Sequence, residues 1–240
     1  MDWAYLFEIS LTGIAGGGLY ALAALAFVMV YKATRVVNIA IGEMLMVGAY
    51  LFFTFAATFA LPLWLAIPAA VLGTGLLGAV IERTMIRPLL GEPPISVFMV
   101  TVGLASVLVG LVEMIWTADQ RRLPDFMPSQ PIMVGDAFLA PKVFWGAMIA
   151  ALSGIIVGSI GGISSSMGVF GLSVLVVVIV GGLDSVLGAL IGGILIGLIE
   201  ALAGAFLGGE YKLLATFIVL VAVLLVRPYG LFGTREIERL

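Results

Sequence analysis

The stretch Ile9–Val30, ISLTGIAGGGLYALAALAFVMV, carries no charge and ends at Tyr31-Lys32, with Arg35 close behind. A membrane-crossing α-helix needs about 20 mostly apolar residues, so this run is long enough to be one, at about 9–31. The pattern recurs along the chain. Met44–Ile81 is uncharged but too long for one pass, and Pro62 and Trp64 divide it into helices at about 38–58 and 63–81. Ile95–Val112 makes another, closed by Glu113 and Trp116, at about 95–116. A polar, proline-rich loop follows from Thr117 to Pro141. Val143–Leu183 is uncharged, but Gly161–Ser166 interrupts it, which predicts a helix at about 142–161. A further apolar segment, about 172–203, is broken at Gly181-Gly182-Leu183-Asp184-Ser185, and a last one runs from about 211 to 226, stopping at Arg227-Pro228. Membrane helices tolerate interior Pro and Gly where neighbours satisfy the freed backbone groups. A β-barrel would need short alternating strands instead. The expected fold is all-α: a polytopic transmembrane bundle of about seven or eight spans, forming a single domain over residues 1–240.

Composition agrees. Of 240 residues, 62% are hydrophobic and 10% charged, with a mean hydropathy of +1.26. Soluble domains carry about a quarter charged residues, so a water-facing surface cannot be built from this chain. There is no Cys or His, which excludes disulfides, zinc fingers and histidine-based triads and leaves no expected metal site. A net charge of −3 argues against a nucleic-acid partner. No lysine follows a glycine, so there is no phosphate-binding Walker loop and no sign of an ATPase site within the chain.

Met1–Ser10 contains only Asp2 and Glu8 as charges, unlike the basic start of a cleavable signal, so the first helix is expected to be retained. Its acidic start and basic end, Lys32 and Arg35, place the N-terminus outside by the positive-inside rule, and Arg83 and Arg87 then also fall inside. The loop 117–141 falls outside. If 172–183 and 185–203 were separate passes, the tail with Arg227, Arg235 and Arg239 would end outside, against that rule. One pass, a re-entrant hairpin or a missing upstream pass would restore the parity.

Glycines stand four apart at Gly13/Gly17, Gly154/Gly158/Gly162, Gly188/Gly192 and Gly193/Gly197. That spacing lets helix backbones approach closely in lipid; static packing is its commonest use, and sliding seams the functional alternative. Gly73-Thr74-Gly75-Leu76-Leu77-Gly78 has dinucleotide-fingerprint spacing but no preceding strand, which sets a cofactor role aside. Carboxylates at membrane depth mark function by default. Glu43, beside Gly42 and one turn after Asn38, and Asp184, at the glycine break, are the candidates; an interfacial or structurally hydrogen-bonded acid is the alternative. Glu113 and Glu200 stand near span ends, where they would reach the interface.

Several strings together carry a resemblance. Gly18-Leu19-Tyr20-Ala21-Leu22, Val36–Met44 through Gly48-Ala49-Tyr50, Glu82-Arg83 to Arg87-Pro88-Leu89, Val176–Glu200 and Arg227–Gly233 occur in this order. The chain resembles the LivH-like permease subunits of branched-chain amino acid ABC importers. That resemblance implies a multi-pass permease in a bacterial inner membrane, binding no cofactor of its own. It also implies a second permease subunit, two cytoplasmic ATPases that bind ATP, and a periplasmic binding protein. Substrates in such systems are branched-chain or other small amino acids, urea or short amides. The family suggests a translocation path near Asn38, Gly42, Glu43, Gly181, Gly182, Asp184 and Ser185. Arg83 and Arg87 are expected to face the ATPase. Against the family pattern, Ala140-Pro141 passes directly to Lys142-Val143-Phe144-Trp145, as though one pass and the basic ATPase-coupling loop were missing. Two other classes stay open: a secondary transporter using Glu43 or Asp184, and an uncoupled, truncated permease.

Overall fold

A computed structural model describes residues 3–117, 132–134, 137–139 and 168–234. Its elements are α1 (Trp3–Thr34), α2 (Ile41–Phe53), α3 (Leu63–Ile81), α4 (Pro94–Trp116), a two-stranded hairpin of β1 (Ile132–Val134) and β2 (Ala137–Leu139), α5 (Gly168–Gly181), α6 (Val186–Phe206) and α7 (Lys212–Val226). A π-helical turn, Thr54–Thr58, prolongs α2; a second, Glu82–Ile86, followed by a 3₁₀ turn, Arg87–Leu89, prolongs α3. The strands pair antiparallel, Met133 opposite Phe138.

Local chemistry sets the ends. Arg35 takes a left-handed conformation (φ 56°) directly after α1, unusual for a residue with a side chain. Pro62 sits extended immediately before α3, and Pro93-Pro94 opens α4, where a missing N–H costs nothing. Gly182 (φ 112°) ends α5, and the Ser185 hydroxyl caps α6 by accepting from the Gly188 amide at 3.0 Å.

Among the described residues six helices, with their prolongations, are long and apolar enough to cross a membrane. The broken segment 172–203 resolves into α5 and α6, which run back on each other: Gly181 packs on Gly188, and Gly192 on the Val177 carbonyl. At 1.5 Å per residue the 14-residue α5 is about 21 Å long, short of the roughly 30 Å hydrocarbon core. Against the expected seven or eight spans, the described residues hold six full-length helices and one short one. The expected pass at 142–161 lies outside the described residues, as do Gly154, Gly158 and Gly162.

The chain divides into two compact units. One holds α1, the hairpin, α6, α7 and α5 from Ser173 onward; the other holds α2, α3, α4 and α5 up to Leu172. In the first, Phe27, Val28, Val174, Val176, Val177 and Ile196 are fully buried. In the second, the core is Met46, Tyr50, Phe52, Leu104, Leu108 and Val112.

Candidate functional site

In the unit of α2–α4, Asn38 is buried, and its Oδ1 accepts from the Ala40 amide at 3.1 Å. This local turn shapes the entry to α2. Its Nδ2 approaches the Met44 sulfur at 3.8 Å. Gly42 is buried in the first turn of α2 against Gly171, where an added Cβ would stand 2.5 Å from the Gly42 Cα. Glu43, half-buried in the same turn, lies where the helix dipole favours a carboxylate. The structure thus brings Asn38, Gly42 and Glu43 together around one helix start. The other four candidates belong to the other unit.

There, Gly181, Gly182, Asp184 and Ser185 form the α5–α6 turn, and the C-terminal tail is folded onto it. The Leu231 amide donates to the Val180 carbonyl at 2.8 Å, and the Phe232 amide to the Gly181 carbonyl at 2.9 Å. These bonds satisfy carbonyls that a helix C-terminus leaves open. The Thr234 amide reaches both Asp184 oxygens, at 3.3 and 3.4 Å, and its hydroxyl also donates to Asp184. Gly230 (φ 80°) and Gly233 let this strap lie against Gly182 without a side chain between. Burial acts to raise the Asp184 carboxyl. The Thr234 hydroxyl and amide, the Asp184 amide and the Lys32 charge outweigh it and hold the group below the usual carboxylate range.

Gly13 packs on Ala201 and Gly193 on Ala21, so α1 and α6 run antiparallel and the Lys32 end of α1 lies at the Ser185 end of α6. The basic end of α1, the 182–185 turn and the tail from Arg227 lie at one end of this unit, α6 leaving that end and α7 returning to it. Arg227 is then on the Lys32 side, as the positive-inside rule asks.

Arg83 and Arg87 are exposed on the turns that prolong α3, and Arg87 pairs with Glu82 at 3.5 Å. Exposed pairs contribute about 0–1 kcal/mol, so this one leaves Arg87 readily available to another anion. Beside these turns, a recess of about 440 Å³ opens between Arg35, Val37, Leu89, Glu92, Val97 and Phe98. Among the described residues no group of three acidic side chains suits a metal ion.

One residue was misplaced by the sequence reading. Glu200 does not reach the interface: it is 8% exposed and accepts hydrogen bonds from Tyr20 on α1 (2.5 Å), Ser173 on α5 (2.9 Å) and Thr216 on α7 (2.8 Å). The expected span ended at about 203, whereas α6 continues to Phe206, and hydroxyls from α1, α5 and α7 close around Glu200. The available signal was the isolated Ser173 and Glu200, the sole polar or charged side chains of α5 and α6. Glu113, by contrast, is exposed on α4.

Long apolar helices, glycine seams and a basic end formed by Lys32 and Arg227 define a multi-pass membrane protein. The family model described as branched-chain amino acid transport system / permease component matches residues 9–139, and the chain belongs to that family. The high-affinity branched-chain amino acid transport system permease proteins LivH of Salmonella typhimurium and of Escherichia coli K12 are each 25% identical to it over 304 residues, covering 99% of both chains. BraD of Pseudomonas aeruginosa, named for the same transport role, is 25% identical over 293 residues, covering 95% of both chains. No solved structure matches. An alignment of 304 positions against 240 residues leaves at least 64 positions with no residue in this chain.

Proposed function

We propose that this chain is the membrane-spanning permease subunit of an inner-membrane ABC importer for branched-chain or similar small amino acids. The observation that carries the proposal is the end-to-end likeness to LivH, 99% of both chains, together with the multi-pass fold. The chain takes ATP energy from two separate cytoplasmic ATPases, binds no cofactor itself, pairs with a second permease subunit and receives substrate from a periplasmic binding protein. Asn38, Gly42 and Glu43 in one unit, and the Gly181, Gly182, Asp184 and Ser185 turn in the other, are the residues proposed to border the path. Branched-chain amino acids are favoured over urea and short amides by the names of the relatives alone.

The internal shortfall bears on coupling. A deficit of at least 64 positions is enough for one pass of about 20 residues and a sizeable loop. The family match stops at Leu139, two residues before the Pro141–Lys142 junction. We place the deletion there and infer that the usual coupling loop is lost. ATP-driven transport requires the ATPase to favour one permease state over the other through differential contacts. In this chain those contacts fall to Arg83, Arg87 and the neighbouring recess at Arg35 and Glu92.

The test is co-expression with candidate ATPases and the second permease, followed by detergent purification and ATP-dependent leucine uptake in proteoliposomes supplied with the binding protein. Co-purifying ATPases and leucine uptake, both weakened by Arg83→Glu with Arg87→Glu, are expected. Recovery of the partner permease without ATPases would leave an uncoupled relic of the family. ATP-dependent uptake of urea but not leucine would overturn the substrate assignment.

A further inference from the structure

The recess beside the turns that prolong α3 brings two opposite charges into one apolar hollow. Arg35 and Glu92 both line it, and Val36, Val37, Leu89, Val97 and Phe98 supply its apolar wall. Among the described residues Glu92 enters no ion pair, so the two charges share the hollow without closing on each other. Backbone geometry sets both positions. Arg35 is held in its left-handed conformation (φ 56°) directly after α1, and the next amide, that of Val36, donates to the Thr34 hydroxyl at 3.2 Å. Gly91 (φ 93°) turns the chain, the Glu92 amide donates to the Leu89 carbonyl at 3.1 Å, and Pro93 follows with its fixed φ. Left-handed residues with side chains concentrate at ligand clamps and other functional sites.

Arg35, with Arg83 and Arg87, marks the inner end of the helices by the positive-inside rule. From the recess an apolar track continues along α4. Ile95, Phe98, Met99 and Val102 are exposed, and their i, i+3, i+4, i+7 spacing puts them on one face. The matching ligand has an anion for Arg35, an ammonium for Glu92 and an apolar body. A free amino acid and an ethanolamine-type phospholipid both have this chemistry. The recess is open, with Arg35, Glu92 and Phe98 exposed, whereas sites for free small molecules enclose about 70–90% of the ligand surface. A lipid is already held by the bilayer and needs only its headgroup matched, which favours the lipid.

We infer that this recess is a headgroup site for an inner-leaflet phospholipid bearing a primary ammonium, the phosphatidylethanolamine class. Arg35 donates to the phosphate, Glu92 accepts from the ammonium, and an acyl chain follows Ile95, Met99 and Val102. A guanidinium has five N–H donors, so Arg35 can add a phosphate to the contacts it already makes. Phosphatidylcholine has no ammonium N–H to donate, and phosphatidylglycerol has no ammonium at all, which leaves Glu92 facing a net negative headgroup. Neither Arg83 nor Arg87 lines the recess, and a seated headgroup would form part of the inner face that the ATPase is proposed to meet. The inference is independent of which substrate the chain carries.

Native mass spectrometry of the full chain, released from detergent with each of the three phospholipids in turn, reads the site directly. Phosphatidylethanolamine should bind about fivefold or more tighter than the other two, as expected for hydrogen bonding to one charged acceptor. Glu92→Gln should remove that preference, and Arg35→Gln should weaken all three lipids. A test without any variant is stepwise N-methylation of the headgroup, which keeps its charge, removes donors one at a time and should weaken binding at each step. Equal binding of phosphatidylethanolamine and phosphatidylcholine, or a preference that persists in Glu92→Gln, would overturn the assignment. So would tightest binding of phosphatidylglycerol, which would reduce the site to an anion contact at Arg35. Displacement of the bound lipid by leucine would give the recess to a free amino acid and likewise overturn it.

Discussion

The two units solve the same problem, holding apolar helices together in lipid, by different means. In the unit of α1, α6 and α7, backbone meets backbone. Gly193 lies so close to α1 that an added Cβ would stand 2.6 Å from the Ala21 Cα, and Gly17 in turn lies against Gly193 and Ile194. Gly188 and Gly192 serve the α5 side of α6, while Gly193 and Gly197 serve the α1 side. In the other unit, apart from the approach of Gly171 to Gly42, large side chains do this work: Met46 and Tyr50 pack in one cluster with Leu104, Leu108 and Val112, and Phe52 packs with Ala66 and Ala70. Trp116 stacks at a tilt on Tyr50, centroids 5.4 Å apart, and donates to Thr54 at 2.7 Å. Where hydrophobic burial gives helices no preference for each other over lipid, close approach and scattered polar bonds must supply the attraction. A backbone seam gains the most dispersion contact but has no room for an added atom, whereas a side-chain seam can repack.

The largest expected effect tests that contrast directly. Gly197→Ala would drive its Cβ into the Gly17 backbone, which cannot yield as a flexible side chain does. A loss of about 3 kcal/mol or more is expected in detergent unfolding, at or beyond the upper end of overpacking costs. Met46→Leu, fully buried in the other unit, should cost less than about 1.5 kcal/mol because volume is conserved. Equal losses would abolish the distinction between the seams.

Next is the strap over the α5–α6 turn. Asp184→Ala frees Thr234, and chymotrypsin cleavage after Phe232 should quicken roughly tenfold, the equivalent of about 1.4 kcal/mol for hydrogen bonds to a charged acceptor. The pH dependence has a definite sign. Because folding lowers the Asp184 carboxyl, its contribution is full above the ordinary carboxylate value of about 3.9 and is lost as pH falls through the lowered folded value. Tail release at neutral pH, where the carboxylate is charged, would contradict this assignment.

A smaller effect probes the side-chain seam. Trp116→Phe keeps the ring on Tyr50 but removes the donor to Thr54, which still donates to the Tyr50 carbonyl at 2.9 Å. A loss of about 1 kcal/mol is expected from equilibrium unfolding. A much larger loss would mean that this unit, too, depends on one irreplaceable contact.

These contrasts were only partly legible in the sequence. Uncharged runs coincide with α2 to α4 and α7, α1 begins at Trp3, six residues before its run, and Gly181–Ser185 marks a real break, because charge and glycine act locally. The four-residue glycine spacing was visible, but which row faced which helix was not, since pairing Gly17 with Gly193 is a tertiary matter. Asp184 stood out as a carboxylate at a break; its partner, Thr234, lies fifty residues away and is an unremarked tail residue in the sequence. Glu200 was placed near a helix end because the apolar run stops around Ala203, and what buries it is Tyr20, Ser173 and Thr216 from three other helices. Sequence locality therefore revealed the elements and the breaks, and long-range hydrogen bonding decided what the polar residues inside them do.

The smallest effect is the most discriminating control. Gly75 has the same helical setting as the seam glycines, yet nothing lies within 4 Å of where its Cβ would be. Replacing it with Ala should therefore stabilise α3 by about 0.5–1 kcal/mol, by lowering the entropy of the unfolded chain without a clash. Gly193→Ala makes the same chemical change against a backbone 2.6 Å away and should lower stability instead. Opposite signs from one substitution type, read in the same unfolding assay, would establish close approach as what makes glycine indispensable in the α1–α6 seam. If Gly75→Ala also destabilises, that face of α3 is occupied by another chain, and Gly75 belongs to an intermolecular seam of the same backbone-to-backbone kind.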